Sequence, residues 1–183
     1  ASSTLGEPRV FVSRSALLHN VSVIRKHLRD GVKLCAVLKA DAYGHCADLV
    51  ADALCNFSSP RIEAPAVDCL AVATIVENVY VGRERDRIEA AIRNGWILTV
   101  CSPAAASDVA RIAVSIGQRA AVQIMVDTGM SREGGSVDAT PALLSAVEAH
   151  ASLKLTTAYT HFAASEIIGD PRTMHQLHKF HNA

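Results

Sequence analysis

The chain has 183 residues, half of them hydrophobic, which is enough to bury a real core in one sizeable domain. Its 18 basic and 18 acidic side chains cancel, so no basic field draws nucleic acid or an acidic membrane surface, and neither is expected as a partner. No run approaches the roughly 18 apolar residues of a membrane span, and no basic stretch leading into an apolar one opens the chain; a cytoplasmic protein is expected.

Residues 1–10 are small and polar and read as a flexible arm, leaving 11–183 as the folded domain. Ser15 is placed to cap a helix reaching about Asp30, in which Leu17, Leu18, Val21, Ile24 and Leu28 recur at helical spacing. Lys33 to Leu38 reads as a buried strand that feeds directly into Lys39-Ala40-Asp41-Ala42-Tyr43-Gly44-His45, with a helix over Ala47 to Cys55 behind it. Strands follow at Cys69 to Ala73 and Val79 to Val81, then an amphipathic helix over Arg83 to Asn94 and a strand at Trp96 to Val100. Ser102 or Pro103 opens another helix, Ala121 to Val126 is the fifth strand, and a glycine-bearing loop spans 127–136. Thr140-Pro141 reads as a cap with proline in the first turn of a helix reaching about His150. Leu153 to Tyr159 is the sixth strand, and Asp170-Pro171 begins the last helix.

Six strands alternating with helices predict an α/β protein with a mostly parallel sheet, and periodicity alone leaves open whether the sheet is open or part of a barrel. A closed eight-stranded barrel takes about 250 residues, so this chain is about two strand–helix units short of one. The cysteines, Cys35, Cys46, Cys55, Cys69 and Cys101, are odd in number and form no CxxC pair, which predicts buried free thiols. His45 and Cys46 are adjacent and therefore point apart, which argues against a joint site. His175, His178 and His181 are spaced by three, but on a helix the outer two diverge by about 120°, so they read as a solvated face and no metal is expected.

In either arrangement the chemistry sits beyond the carboxyl ends of the strands. Lys39, after the apolar Leu34 to Leu38, stands at the mouth of the core, where partial desolvation favours the neutral amine that condenses with an aldehyde; the plain alternative is a lysine reaching past the strand end into water. Arg132, flanked by Gly129 and Gly134, lies in a loop tight enough to hold a guanidinium for bidentate grip of a carboxylate, though a surface arginine fits the same pattern. His161, between Thr160 and Phe162, suits either an acid–base role or a structural one. No GxGxxG or phosphate-loop pattern is present.

Three of these segments carry a resemblance. Val37-Leu38-Lys39-Ala40-Asp41-Ala42-Tyr43-Gly44-His45 resembles the cofactor-lysine motif of alanine racemases. Asp127 to Gly134 resembles their substrate-arginine loop, and Tyr159-Thr160-His161-Phe162-Ala163 their histidine segment, all in collinear order. The resemblance implies the amino-terminal (β/α)8 TIM-barrel domain of that family, incomplete, with about six of eight strand–helix units and without the carboxy-terminal β domain. It implies pyridoxal 5'-phosphate as cofactor, alanine as substrate, homodimers in the complete form, and interconversion of L- and D-alanine for the bacterial cell wall. By the same resemblance Lys39 matches the cofactor lysine and one of two catalytic bases, and Tyr43 the tyrosine near the cofactor phosphate. Val81 matches an apolar residue beside the cofactor. Arg132 matches the arginine that positions substrate carboxylate and cofactor, Met130 a residue at that carboxylate through its backbone, and His161 the histidine supporting a second arginine.

Several features depart from the family pattern. Strands seven and eight, the second domain and the second base, a tyrosine, have no counterpart, so the isolated chain is expected to be inactive. The Thr74–Val79 link is too short for a parallel crossover, which takes about a dozen residues. Met125 stands where many members carry a lysine, and Phe11-Val12-Ser13-Arg14 replaces an acidic strand opening. An inactive homologue that binds the cofactor weakly or not at all, and a related barrel-type racemase for another amino acid, are the competing expectations.

Overall fold

The structure is a computed structural model describing residues 10–55, 65–72 and 84–183. Nearly all of the expected amino-terminal arm, the strand expected at Val79 to Val81 and the short Thr74–Val79 link lie outside the described residues. The chain divides into two compact units, Ala1–Asn78 and Val79–Ala183.

In the first unit, α1 (Arg14–His27) is capped by Ser13, whose extended backbone lets its hydroxyl accept the Ala16 N–H at 3.3 Å. Ser15, expected as the cap, lies inside the helix, and α1 stops at His27 because Leu28 turns extended. Leu17 and Val21 pack inward, while Ile24 of the expected stripe is exposed. Strand β1 (Cys35–Val37) pairs in parallel with β2 (Cys69–Ala71), and single bonds from Asp68 N–H to Leu34 O and Leu38 N–H to Ala71 O extend the ladder at either end. Both strands are shorter than expected. Arg25 ties α1 to β2, donating to Asp68 Oδ2 at 2.6 Å and Ala66 O at 3.2 Å, and Asp68 Oδ2 also accepts the Leu34 N–H at 2.7 Å. Leu38, Val50, Leu54 and Val67 form the core between strands and helices α1 and α3 (Ala47–Cys55).

The second unit runs α4 (Glu84–Arg93), β3 (Leu98–Val100), α5 (Pro103–Ser115), β4 (Ala120–Asp127), β5 (Gly135–Ser136), a 3-10 turn Val137–Ala139, α6 (Thr140–Glu148), β6 (Leu153–Tyr159) and α7 (Pro171–His181). β4 lies between β3 and β6, and β5 pairs with its last two residues; every pairing is parallel. A register shift at Val122/Gln123 interrupts the β4–β6 ladder. Alternation along β4 turns Ala120, Val122 and Ile124 onto α5 and α6, where they meet Val109, Ile112, Leu143 and Val147 in one core. In each unit the architecture is thus alternating strand–helix α/β with parallel strand pairing, as the strand pattern predicts.

Local chemistry explains the boundaries. Ser102 caps α5 through the Ala105 N–H, with Pro103 in its first turn, and Asp170 caps α7 through the Arg172 N–H, followed by Pro171. Trp96, expected in β3, is half-exposed and outside it, because its N–H bonds back to Ala91 O at 2.9 Å and closes the end of α4. Thr140 does not cap α6: its hydroxyl donates to Ser136 O, and Ser136 caps the preceding 3-10 turn instead.

The expectation of buried thiols is also corrected. Cys35 and Cys69 are exposed and Cys46, Cys55 and Cys101 half-buried. Cys35 and Cys69 alternate away from the helices that cover Leu34, Ala36 and Leu70, and so face outward from that core. No described helix is long and apolar enough to cross a membrane.

Candidate active site

Lys39 opens α2 (Lys39–Gly44), a six-residue helical segment directly beyond β1. Ala40, Asp41, Ala42 and Tyr43 all take left-handed backbone angles, with φ between 52° and 57°. Each costs an L-residue roughly 1–2 kcal/mol. The surroundings hold the turn in place: Ala42 is buried and its N–H bonds Leu38 O at 3.0 Å, while Asp41 Oδ1 accepts the Ala47 N–H at 2.7 Å and fastens the turn to α3. His45 closes it, its Nδ1 lying 2.8 Å from Ala42 O. The result is a half-buried Lys39 whose Nζ stands 5.7 Å from the centre of the exposed Tyr43 ring, within cation–π reach.

The loop after β4 is built around Asp127. Its Oδ1 accepts the N–H groups of Gly129 at 2.9 Å and Ser131 at 3.0 Å. The Ser131 N–H, then those of Gly129 and Met130, hold the Asp127 carboxyl below the usual carboxylate range. This anchored turn carries a half-buried Met130 and an exposed Arg132 whose guanidinium makes no hydrogen bond or ion pair with a described residue. The chain returns through Gly134 and Gly135, the latter packed against Cys101 O, and burial pushes the Cys101 thiol up. Met125 is buried in β4. A pocket of about 400 Å3 opens beside the loop, lined by Asp127, Ser131, Ser136, Asp138 and Lys179 among others.

Gln176, which lies in none of the three motif segments, joins this loop to the one after β6. It is 3% exposed, and its Nε2 donates to Thr128 Oγ1 at 3.2 Å and His161 O at 3.0 Å, while its Oε1 accepts the Ala163 N–H at 2.8 Å. Thr128 and Thr160 hydroxyls meet at 2.7 Å beside it. His161 itself is exposed, its backbone held and its ring outward. The available signal was a polar residue on the apolar stripe of α7, where Thr173, Gln176, Leu177 and Phe180 recur at spacings of three, one and three. His175, His178 and His181 occupy exposed positions of the same helix, and no group of three metal-ligating side chains gathers among the described residues.

Of the residues singled out from sequence, Lys39 and Tyr43 therefore come together in the first unit, and Met130, Arg132 and His161 stand on two loops of the second that Gln176 joins. Val81 lies outside the described residues.

Acid stability follows from the same carboxylates. Asp170 is pulled down to about 2, chiefly by the Arg172 side chain, and Asp127 is lowered as well. A depressed folded value means that the unfolded chain binds more protons at low pH. The stability from these groups is therefore complete above about pH 4 and lost as pH falls toward 2. Urea midpoints measured against pH should begin to fall below about pH 4, and Asp170→Asn should make that decline shallower; an unchanged slope would remove Asp170 from the account.

These features define an α/β protein with parallel strands and polar loops at their carboxyl ends. Residues 12–183 match the family described as alanine racemase, N-terminal domain, and the chain belongs to that family. It is 32% identical over 171 residues to the alanine racemase of Chlorobaculum tepidum, covering 85% of this chain and 43% of that protein. The alanine racemase of a Synechocystis strain is 32% identical over 185 residues, covering 92% and 46%. The solved alanine racemase of Clostridium difficile superposes with a TM-score of 0.78 at 27% identity, over 92% of this chain and 46% of that one. A histidine racemase from Leuconostoc mesenteroides, at 22% identity and a TM-score of 0.74, shares the fold. The chain spans less than half the length of these curated relatives.

Proposed function

We propose that this chain carries the pyridoxal-phosphate-bearing portion of an alanine racemase, interconverting L- and D-alanine in its complete form. The observation that carries the reading is Lys39: a half-buried primary amine presented at the end of β1 by a left-handed turn, beside Tyr43, in a chain of this family. Strands β1, β2, β3, β4 and β6, with the one expected at Val79 to Val81, are read as about six of the eight strand–helix units of a (β/α)8 barrel, with 11–183 as its domain and with a homodimeric, cytoplasmic enzyme of cell-wall precursor supply as the setting.

The side chains present suit the cofactor in kind. Lys39 offers the amine that its aldehyde requires, Tyr43 an exposed hydroxyl for its phosphate, and Arg132 a guanidinium uncommitted among the described residues. When bound, pyridoxal phosphate withdraws electrons from the α-carbon of the amino acid and so makes its α-proton acidic. Lys39 then holds or moves a proton at that carbon on one face. Arg132 grips the substrate carboxylate with Met130 beside it through its backbone, and His161 supports the cofactor end of the site. Asp127 fixes the turn from which Arg132 projects, and Gln176 fixes the backbone of His161. Val81 would add an apolar contact. The base for the opposite face has no candidate among these residues.

The test is chemical. The chain incubated with pyridoxal phosphate and reduced with borohydride should carry the cofactor on Lys39 by peptide mass mapping, and Lys39→Ala should lose it. Labelling spread over other lysines, or unchanged in the variant, would overturn the assignment. A second reading, a chain that holds the cofactor without racemising alone, is favoured by the single base, Lys39, among the site residues named above. D-alanine formation by the chain alone should accordingly stay at the Lys39→Ala background, far below the roughly 1 per second or more usual for enzymes.

A further inference from the structure

We propose that Cys35 and Cys69 form a dithiol site that a peroxide converts, reversibly by added thiol, to a disulfide cross-linking β1 to β2. The two residues are direct partners in the parallel register of these strands, so their side chains leave the ladder on the same face. Both are free and exposed, whereas Cys46, Cys55 and Cys101 are half-buried. The Cys69 thiol lies near enough to Cys35 to raise it. Neighbouring strands lie about 4.8 Å apart, inside the roughly 4.4–6.8 Å between Cα atoms that disulfides span. On the opposite face, Leu34, Ala36 and Leu70 are held in the core by α1 and α3, which keeps both cysteines together on the strand face turned away from those helices.

The step balances simply. One thiol, as its thiolate, attacks the peroxide; the O–O bond breaks, and the sulfur is oxidised to a sulfenic acid with release of one water. The second thiol displaces its hydroxyl, forming the S–S bond and releasing a second water. Two thiol hydrogens and one peroxide leave as two waters. Partial desolvation and the neighbouring Cys69 thiol push Cys35 up to about 11, so a first attack by Cys35 is slow at neutral pH, while the second step is intramolecular and immediate by comparison. The chemistry therefore favours cross-linking over a lasting sulfenic acid. The ladder it would lock has three residue pairs, short enough for a covalent tie to change how readily it opens.

The test is oxidation of the chain with hydrogen peroxide, then alkylation and peptide mapping. The expected result is loss of two of the five alkylatable thiols, appearance of one linked pair of peptides containing Cys35 and Cys69, and return of both thiols with dithiothreitol. The linkage should survive in a variant with Cys46, Cys55 and Cys101 replaced by serine, and Cys69→Ser should abolish it while leaving Cys35 open to alkylation. If that triple variant fails to fold, the mapping of the unaltered chain decides. Linkage of Cys35 to a different cysteine, or oxidation of the other three while Cys35 and Cys69 remain alkylatable, would overturn the proposal.

Discussion

Gly134→Ala is expected to destabilise the 79–183 unit by about 3 kcal/mol or more. Its φ of +109° is one that L side chains rarely adopt, at a cost of roughly 1–3 kcal/mol. A Cβ there would also meet Asp127 N at 2.8 Å, Met125 O at 3.1 Å and Val126 C at 3.2 Å. All three are backbone atoms of β4, so the neighbour cannot rotate away, and forced overpacking of this sort costs about 1–3 kcal/mol more. Gly117→Ala separates the two effects. It has φ +66° with nothing within 4 Å, and should cost only about 1 kcal/mol. Urea unfolding of the two variants checks the comparison, and equal losses would mean that the close return of the loop onto β4 contributes nothing.

Gln176→Leu should cost about 3 kcal/mol, although it is an exchange for an apolar residue of similar size on an apolar stripe. Leucine leaves the Ala163 N–H, the His161 carbonyl and the Thr128 hydroxyl without the partner that Gln176 gives each, and a buried group left unsatisfied costs roughly 1–3 kcal/mol. Thr128 keeps its bond to Thr160, which limits the total. Gln176→Glu retains the acceptor for Ala163 but removes both donated bonds. Amide exchange at Ala163 should therefore quicken strongly in the leucine variant and less in the glutamate one. Equal protection in both would show that α7 holds the loop by packing alone.

The parts of this molecule that the sequence makes legible are those decided locally. Ser102-Pro103 and Asp170-Pro171 announce α5 and α7 because cap and proline act within one turn, and β6 occupies Leu153–Tyr159, the range the sequence predicts. Caps fall a few residues from where the sequence places them: Ser13, not Ser15, caps α1, and Ser136 caps the 3-10 turn ahead of α6 while Thr140 lies inside that helix. The site shows the same division. Its residues are recognisable from motif order, but the clasp at Gln176 joins positions 15 and 48 apart in the chain and leaves no local trace. The left-handed run was equally hidden, since Ala40, Ala42 and Tyr43 are not residues that favour positive φ. Exposure of the cysteine pair depends on which strand face the helices cover, and a period of two does not say which.

That left-handed run has a consequence for handedness itself. Its backbone angles, φ +52° and ψ +49° at Ala40, are close to the mirror image of an ordinary helical residue, and are strained only because the residue is an L-amino acid. For the opposite enantiomer the same angles are the relaxed ones. Ala40 is exposed, so its methyl is no part of the packed core. A chemically synthesised chain with D-alanine in place of Ala40 would thus keep this turn while shedding roughly 1–2 kcal/mol of its strain. The segment that presents Lys39 is one of the few places in an L-protein where the mirror-image residue is the better fit.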